Sequence, residues 1–300
     1  MPRGTRNILT VGWLVVAIGT AAAWGAFPAR PSGRSLPGVS VVREIDYGSS
    51  GGTSLKLDLL LPEADPSAPL RPILVAIHGG GWTGGARRQY GPQFASLARS
   101  GLAVAIVDYR LARPGAPSWK GALDDVEQAV EWLIRHASAY RLDPSRIATF
   151  GTSSGGLLAA RAAQEDSRIL AAVCVSSPSS LLELAAGRRQ SHEPSQVFLG
   201  ADPAQARRLA REASPLDHVE PGGPAMLLIH GEDDAWVPID QARRLHEALL
   251  RSGAISRLVE LPGARHGFEL KVNSPPPRDL APLVLDFLDE VWRGSDQKKS

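Results

Sequence analysis

Arg146-Ile-Ala-Thr-Phe-Gly-Thr-Ser-Ser-Gly-Gly156 predicts a strand that turns sharply into a helix. Its first five residues are typical of a buried strand, and a helical run follows at 157–164. Between them, Gly151-Thr-Ser-Ser-Gly155 matches G-x-S-x-G, a turn that exposes a serine hydroxyl at the edge of a sheet. We therefore predict that Ser153 is a nucleophile. Ser154 is a weaker alternative because it does not occupy the centre of the motif.

The residues on either side of this turn predict a mostly parallel sheet with helices on both faces. Continuous apolar runs are expected of strands that are covered on both faces, and they occur at Ile73–Ile77 and Ala103–Val107. Further strands of the same series are predicted at Ile147–Phe150, Ala171–Val175, Met226–Ile229 and Ser256–Leu261. Between the runs, apolar residues at helical spacing predict crossover helices. Upstream, Val41–Tyr47 and Ser54–Leu61 predict a hairpin. Right-handed crossovers bring the carboxyl ends of the parallel strands to one edge, where ligands bind in such sheets.

A run of three glycines follows the strand that ends at Ile77. In His78-Gly-Gly-Gly-Trp82 the missing Cβ atoms allow backbone N–H groups to approach a tetrahedral oxyanion. We predict that the N–H groups of Gly80 and Gly81, with that of Ser154, form an oxyanion hole. His78 is expected to brace this loop by hydrogen bonding rather than to act as the base.

The acid and the base are expected after the last two strands, since chain order behind such a serine is acid and then histidine. Asp233 and Asp234 both follow the strand at Met226–Ile229, and Asp234 is favoured because it lies three residues before Val237 and the start of the next helix. His266 lies in the glycine-containing loop after the last strand. A histidine there can accept and return a proton near neutral pH, while the aspartate holds its tautomer.

These motifs resemble the esterase/lipase branch of the α/β-hydrolases, and most closely its hormone-sensitive-lipase-like and BD-FAE-like group. The further matching pieces are Asp108-Tyr-Arg-Leu-Ala112, Ala122-Leu-Asp-Asp-Val126, Leu142-Asp-Pro144, Ala213-Ser-Pro215, the segment from His230 to Pro238 and His266-Gly-Phe268. The resemblance covers residues 39–292 and implies an α/β-hydrolase fold with an eight-stranded sheet. Relatives often continue Asp-Tyr-Arg-Leu-Ala with Pro-Glu, whereas this chain has Arg113 and then Pro114-Gly115.

The resemblance implies that the chain hydrolyses carboxylic esters of small molecules without a cofactor or a metal. Amidase, formamidase or peptidase action on the same triad is one alternative, although peptidases of this fold usually carry a large extra domain. A non-catalytic binding protein on the same fold is a second alternative, and a membrane-tethered scaffold is a third.

Two features are expected to shape the substrate site. The segment 176–214 is longer than a simple crossover and predicts a small cap, with an Arg-rich helix at Ala204–Glu212. Trp82, Trp119 and Trp236 are expected in loops near the pocket, where they could form an aromatic wall for the substrate. Ordinary anchoring in the core is an equal alternative for these three side chains.

The N-terminal residues 1–27 predict export. Arg3 and Arg6 precede an uncharged apolar stretch from Ile8 to Phe27, which is typical either of a cleaved signal peptide or of an N-terminal membrane anchor. The Pro- and Gly-rich residues 28–38 predict a linker, and residues 39–293 the hydrolase domain. The sequence thus predicts a periplasmic, extracellular or membrane-anchored enzyme.

Composition excludes other classes of function. The net charge of +2 and the absence of a Lys/Arg cluster interleaved with aromatic residues argue against nucleic acid as a partner. The single cysteine, Cys174, lies in an apolar run, so an intrachain disulfide is impossible and a buried structural thiol is predicted.

Overall fold

A computed structural model describes residues 36–63, 67–186, 193–200, 203–273 and 276–297. The predicted N-terminal export segment and most of the predicted linker lie outside these residues. Among the helices of the described ranges, none is long and apolar enough to cross a bilayer.

Eight strands form one mixed sheet in the order β1-β2-β4-β3-β5-β6-β7-β8. They are β1 (Val39–Ser50), β2 (Thr53–Pro62), β3 (Arg71–Ile77), β4 (Ala103–Val107), β5 (Leu142–Thr152), β6 (Ile169–Val175), β7 (Ala225–Gly231) and β8 (Ser256–Leu261). The first hairpin is antiparallel and β2 pairs antiparallel with β4, whereas all later pairings are parallel. The predicted mostly parallel sheet of an α/β-hydrolase is confirmed.

Helices cover both faces of the sheet. The described helices are α1 (Ala95–Arg99), α2 (Trp119–Arg135), α3 (Ala137–Tyr140), α4 (Ser154–Glu165), α5 (Leu181–Ala186), α6 (Glu193–Leu199), α7 (Pro203–Ala213), α8 (Asp240–Arg251) and α9 (Ala281–Gln297). Apolar side chains of α2, α4 and α8 join a core on one face, and those of α1 and α9 a core on the other. Burial on both faces explains why the central strands are continuously apolar.

Two small differences from the sequence predictions have physical causes. Strand β5 begins at Leu142, five residues before its apolar run, because Leu142 and Asp143 pair with the start of β3. A short hairpin, β9 (Lys271–Val272) with β10 (Arg278–Asp279), precedes α9, and its two-residue strands carry no periodic signal.

The segment between β6 and β7 contains α5, α6 and α7, and α7 spans the predicted Arg-rich helix. Phe198 of α6 stacks on Trp82, with ring centroids 4.6 Å apart, and the N–H of Ser118 donates to the carbonyl of Phe198 at 3.1 Å. The segment therefore packs against the loops that follow β3 and β4. Its assignment as a cap over the site stays a prediction.

A buried charge cluster fixes the chain that leaves the glycine loop. The Arg87 side chain, 6% exposed, donates to the carboxylates of Asp58, Asp108 and Glu44, with 3.1 Å from its Nε to Asp58 Oδ1. A bulge in β1 places Glu44 at a positive φ of 57°, and its N–H donates to Asp58 at 2.9 Å. Arg87 thus joins β1, β2 and the end of β4 to the loop after β3.

Replacing Arg87 by Met should lower the free energy of unfolding by about 3 kcal/mol, because it removes a buried cation from the buried Asp58 carboxylate and from the partly buried Asp108. Arg88→Met is the matched control, since Arg88 also contacts Glu44 but its side chain is 76% exposed. That change should cost at most about 1 kcal/mol. Urea unfolding measures both values, and equal losses in the two variants would contradict a structural role for the cluster.

Candidate active site

Ser153 lies at the turn between β5 and α4 with a backbone that non-glycine residues rarely adopt. Its φ of 52° and ψ of −122° point the side chain out of the turn. A Cβ at Gly155 would lie 2.2 Å from the carbonyl oxygen of Ile77 and 2.4 Å from that of His78, so only glycine fits there. The N–H of Ser153 donates to the carbonyl of Val175 at 2.8 Å, which ties the turn to the neighbouring strand.

His266 reaches both of its predicted partners. Its Nε2 lies 2.9 Å from Ser153 Oγ, and its Nδ1 lies 2.7 Å from Asp234 Oδ2. The loop that carries the histidine is held to the loop after β7, because the N–H of Asp233 donates to the carbonyl of Ala264 at 3.0 Å. Residues 153, 234 and 266, far apart in the chain, therefore form one hydrogen-bonded row at the carboxyl edge of the sheet.

The structure separates the two candidate aspartates. Asp233 is exposed, whereas Asp234 is buried and accepts hydrogen bonds at Oδ1 from the N–H groups of Trp236 and Val237, at 2.9 and 2.8 Å. Burial would raise the pKa of Asp234, but hydrogen bonds from His230, His266 and the Val237 N–H hold that pKa well below its usual range. Asp234 is therefore a carboxylate that orients the His266 ring.

The glycine loop lies directly beside the serine. A Cβ on Gly79 would be 3.4 Å from Ser153 Cβ. Gly80 has a φ of 127°, and a Cβ there would lie 2.2 Å from the Gly84 carbonyl oxygen. Gly80, Gly81 and Ser154 all line the cavity into which Ser153 opens. Ser154 is the first residue of α4, and N–H groups in the first turn of a helix have no acceptor within the helix.

His78 is placed for structure. It is buried, stacks on Tyr109 with ring centroids 4.4 Å apart, and its Nδ1 donates to the Gly79 carbonyl at 2.8 Å. Burial lowers the pKa of His78, with the Gly79 contact opposing it. The neutral ring braces the loop, as predicted.

Ser153 opens into a cavity of about 710 Å³. Of the three predicted tryptophans, Trp82 and Trp236 line this cavity, and Trp236 is 62% exposed. Trp119 is not among the lining residues, because it lies at the start of α2 with its ring edge against Phe198, 5.7 Å between centroids. Phe198 in turn stacks on Trp82. For Trp119 the structure thus favours core packing over contact with a substrate.

Within the described ranges, no three His, Cys, Asp or Glu side chains are grouped so as to hold a metal ion. Cys174 is buried in β6, and burial raises the pKa of its thiol to about 12.

Comparison with known proteins gives the family. The model of the BD-FAE family matches residues 57–249. The chain belongs to the BD-FAE family. This confirms the predicted resemblance to the esterase/lipase branch of the α/β-hydrolases.

Several relatives of this BD-FAE chain carry the name esterase. Esterase LipQ of Mycobacterium tuberculosis is 28% identical over 83% of this chain and 62% of its own length, and Esterase LipC of the same organism is 30% identical over 85% and 66%. The chain thus spans less than two thirds of either relative. A thermophilic esterase from Thermogutta terrifontis has a TM-score of 0.65 and 28% identity over 85% of this chain and 91% of its own.

Sequence reasoning missed two supporting residues of the BD-FAE site. His230 is buried, donates from Nε2 to the Val237 carbonyl at 2.8 Å and lies 3.5 Å from Asp234 Oδ2. Tyr90 is buried, and its hydroxyl lies 2.7 Å from both the Ile77 carbonyl and Thr152 Oγ1. The sequence around either residue does not distinguish it from an ordinary core residue. Tyr90 contacts a residue that is distant in the chain, and the partners of His230 lie across a loop.

Because the pKa of Asp234 is lowered in the folded chain, its carboxylate stabilises the fold above the ordinary aspartate pKa of about 3.9, and this contribution is lost as the pH falls below that value. Wild type should therefore lose free energy of unfolding more steeply than Asp234→Asn between about pH 5 and pH 3. Urea unfolding at several pH values measures the slopes. Asp233→Asn, at the exposed neighbour, should keep the wild-type slope, and a shared slope for all three proteins would contradict the prediction.

Proposed function

We propose that this chain is a serine hydrolase that cleaves carboxylic esters of small molecules, with Ser153 as nucleophile, His266 as general base and Asp234 as the orienting acid. One observation carries the proposal. The His266 ring lies within hydrogen-bond distance of Ser153 Oγ on one side and of the buried Asp234 carboxylate on the other, at 2.9 and 2.7 Å. The proposal for ester substrates is also supported by the family and by the names of the relatives.

Acylation begins when Ser153 Oγ attacks the ester carbonyl carbon while its proton passes to His266 Nε2. Asp234 stabilises the imidazolium that forms. The carbonyl oxygen becomes an oxyanion, which accepts hydrogen bonds from the backbone N–H groups of Gly80, Gly81 and Ser154. The tetrahedral intermediate then expels the alcohol, which takes the proton from His266 and leaves an acyl group on Ser153.

Deacylation repeats these steps with water. His266 removes a proton from a water molecule, the hydroxide attacks the acyl carbon, and the same N–H groups hold the second oxyanion. Ser153 leaves with the proton from His266 and the free acid departs. The cavity of about 710 Å³ is large enough for the acyl and alcohol parts of a small ester.

Ser153→Ala should lower kcat for 4-nitrophenyl butyrate by about 10⁶, because no other group in the row can form the acyl-enzyme. The readouts are release of 4-nitrophenolate and covalent labelling by a fluorophosphonate, mapped by mass spectrometry to the peptide that contains residue 153. Circular dichroism controls for folding. Retention of turnover in the variant, or labelling at another serine, would refute the mechanism, and a folded wild type that is never labelled would favour a non-catalytic binding protein.

The two adjacent aspartates provide a matched test of the acid. Asp234→Asn should lower kcat by about 10⁴, because an amide no longer holds the productive tautomer of His266. Asp233→Asn should leave kcat nearly unchanged, since its side chain is exposed. Steady-state kinetics on the same ester measure kcat for both variants. A larger loss of kcat in Asp233→Asn than in Asp234→Asn would reverse the assignment of the acid.

Aryl esters, alkyl esters and N-formyl compounds assayed on one purified sample separate ester hydrolysis from amidase or formamidase action. The proposal requires that kcat/KM be highest for an ester. A preference for the N-formyl compounds would replace it with the amidase alternative.

A further inference from the structure

Glu269 places a carboxylate in the wall of the active-site cavity. It lies three residues after His266, on the same loop, and its side chain lines the cavity together with Phe268 and Gln89. Its Oε2 accepts a hydrogen bond from Gln93 Nε2 at 2.7 Å, so the carboxylate is held in place by a neutral partner. It is half-buried, which leaves it partly in contact with solvent and with whatever occupies the cavity.

No cation neutralises this carboxylate among the residues that the structure describes. Some acidic side chains in those ranges form ion pairs, as Glu260 does with Arg243 at 2.8 Å and Asp143 with Arg146. Glu269 forms none, and the lining of the cavity includes neither lysine nor arginine. The substrate side of the site therefore carries an uncompensated negative charge.

The charge of Glu269 acts close to the nucleophile. Burial raises the pKa of the neighbouring Tyr90, and the negative charge of Glu269 raises it further. The Tyr90 hydroxyl lies 2.7 Å from Thr152 Oγ1, and Thr152 directly precedes Ser153. Glu269 is therefore close to Tyr90, whose hydroxyl contacts the residue that precedes Ser153 and which lines the same cavity.

The apolar part of the cavity lining strengthens the interaction between the Glu269 carboxylate and a charged substrate. Trp82, Trp236 and Phe268 make much of the cavity wall apolar, so a bound ester exchanges water for a medium of lower dielectric constant. Charge interactions are larger there than in bulk water and are screened less by salt.

We propose that Glu269 selects substrates by charge, so that the site accepts neutral and cationic esters and discriminates against esters that carry a carboxylate or a sulfonate. The inference rests on the proposed ester hydrolysis and narrows its substrate class. Glu269 takes no part in proton transfer. It acts as a specificity residue through its field on the bound substrate.

Two series of esters test the inference, because the charge could lie on either side of the scissile bond. The acyl series shares a 4-nitrophenol leaving group and comprises the butyrate, the anionic monoester of glutaric acid and the cationic 4-(trimethylammonio)butyrate. The alcohol series shares an acetyl group and comprises 3,3-dimethylbutyl acetate, anionic 2-acetoxyethanesulfonate and cationic acetylcholine. The values of kcat/KM are compared within each series for wild type, Glu269→Gln and Glu269→Lys.

In Glu269→Gln the ratio of anionic to neutral kcat/KM should rise roughly three- to tenfold in at least one series, and the ratio of cationic to neutral should fall. Glu269→Lys should move both ratios further in the same directions. Glu220→Gln, which removes the same charge from an exposed position outside the cavity lining, should leave every ratio unchanged.

Two negative outcomes are distinguishable. If wild type cleaves the neutral esters and Glu269→Gln shows the same charge ratios as Glu220→Gln in both series, the inference about Glu269 is overturned while ester hydrolysis stands. If folded wild type cleaves no neutral ester and is not labelled at Ser153, the proposed function fails and the inference falls with it.

Discussion

The backbone conformation of Ser153 is the constraint on which the remaining geometry depends. A non-glycine residue at a φ of 52° costs of order 1–3 kcal/mol, and it persists only where its surroundings leave no alternative. Here the carbonyl groups of Ile77 and His78 lie so close to Gly155 that no side chain fits there, and the start of α4 packs directly against the end of β3. The hydroxyl is thereby held at the sheet edge, where the loops after β7 and β8 bring an acid and an imidazole to it.

Charge is distributed over this fold in two ways. Buried charge is balanced and fixes the architecture, as where Arg87 joins three strands to the chain leaving the glycine loop. Asp234 is also buried, but its neutralising groups are N–H donors and two imidazoles rather than a permanent cation. A permanent cation beside Asp234 would neutralise the carboxylate and weaken its interaction with His266. Neutral donors leave its negative charge available to the His266 ring that it faces.

Local patterns in the sequence were sufficient for the framework and for the row of polar groups. The bounds of β4 and β8 coincide with those of predicted strands, and the two glycine motifs mark turns that only glycine allows. The roles of Arg87 and Glu269 were not predictable, because each depends on contacts across long stretches of chain. The partners of His230 are nearby in sequence, but their contact depends on how the loop after β7 folds back. Trp119 is a case in which the sequence predicted a possible place in the pocket and the structure favours core packing. Its predicted position in a loop is compatible with the pocket, but in the structure it begins α2 and packs against Phe198, behind the cavity wall.

Two carboxylates around His266, those of Asp234 and Glu269, illustrate why placement matters more than residue type. Asp234 is buried, is held by several donors, and faces Nδ1 of the ring. Glu269 follows the histidine on the same loop, has the neutral Gln93 as its partner, and lines the space into which Ser153 opens. A charge behind the ring is fixed in strength because nothing that binds in the cavity can approach it. A charge in the cavity wall interacts with each ligand according to the charge of that ligand. The loops after β7 and β8 therefore place one charge where it acts on the His266 ring and another where it acts on whatever occupies the cavity.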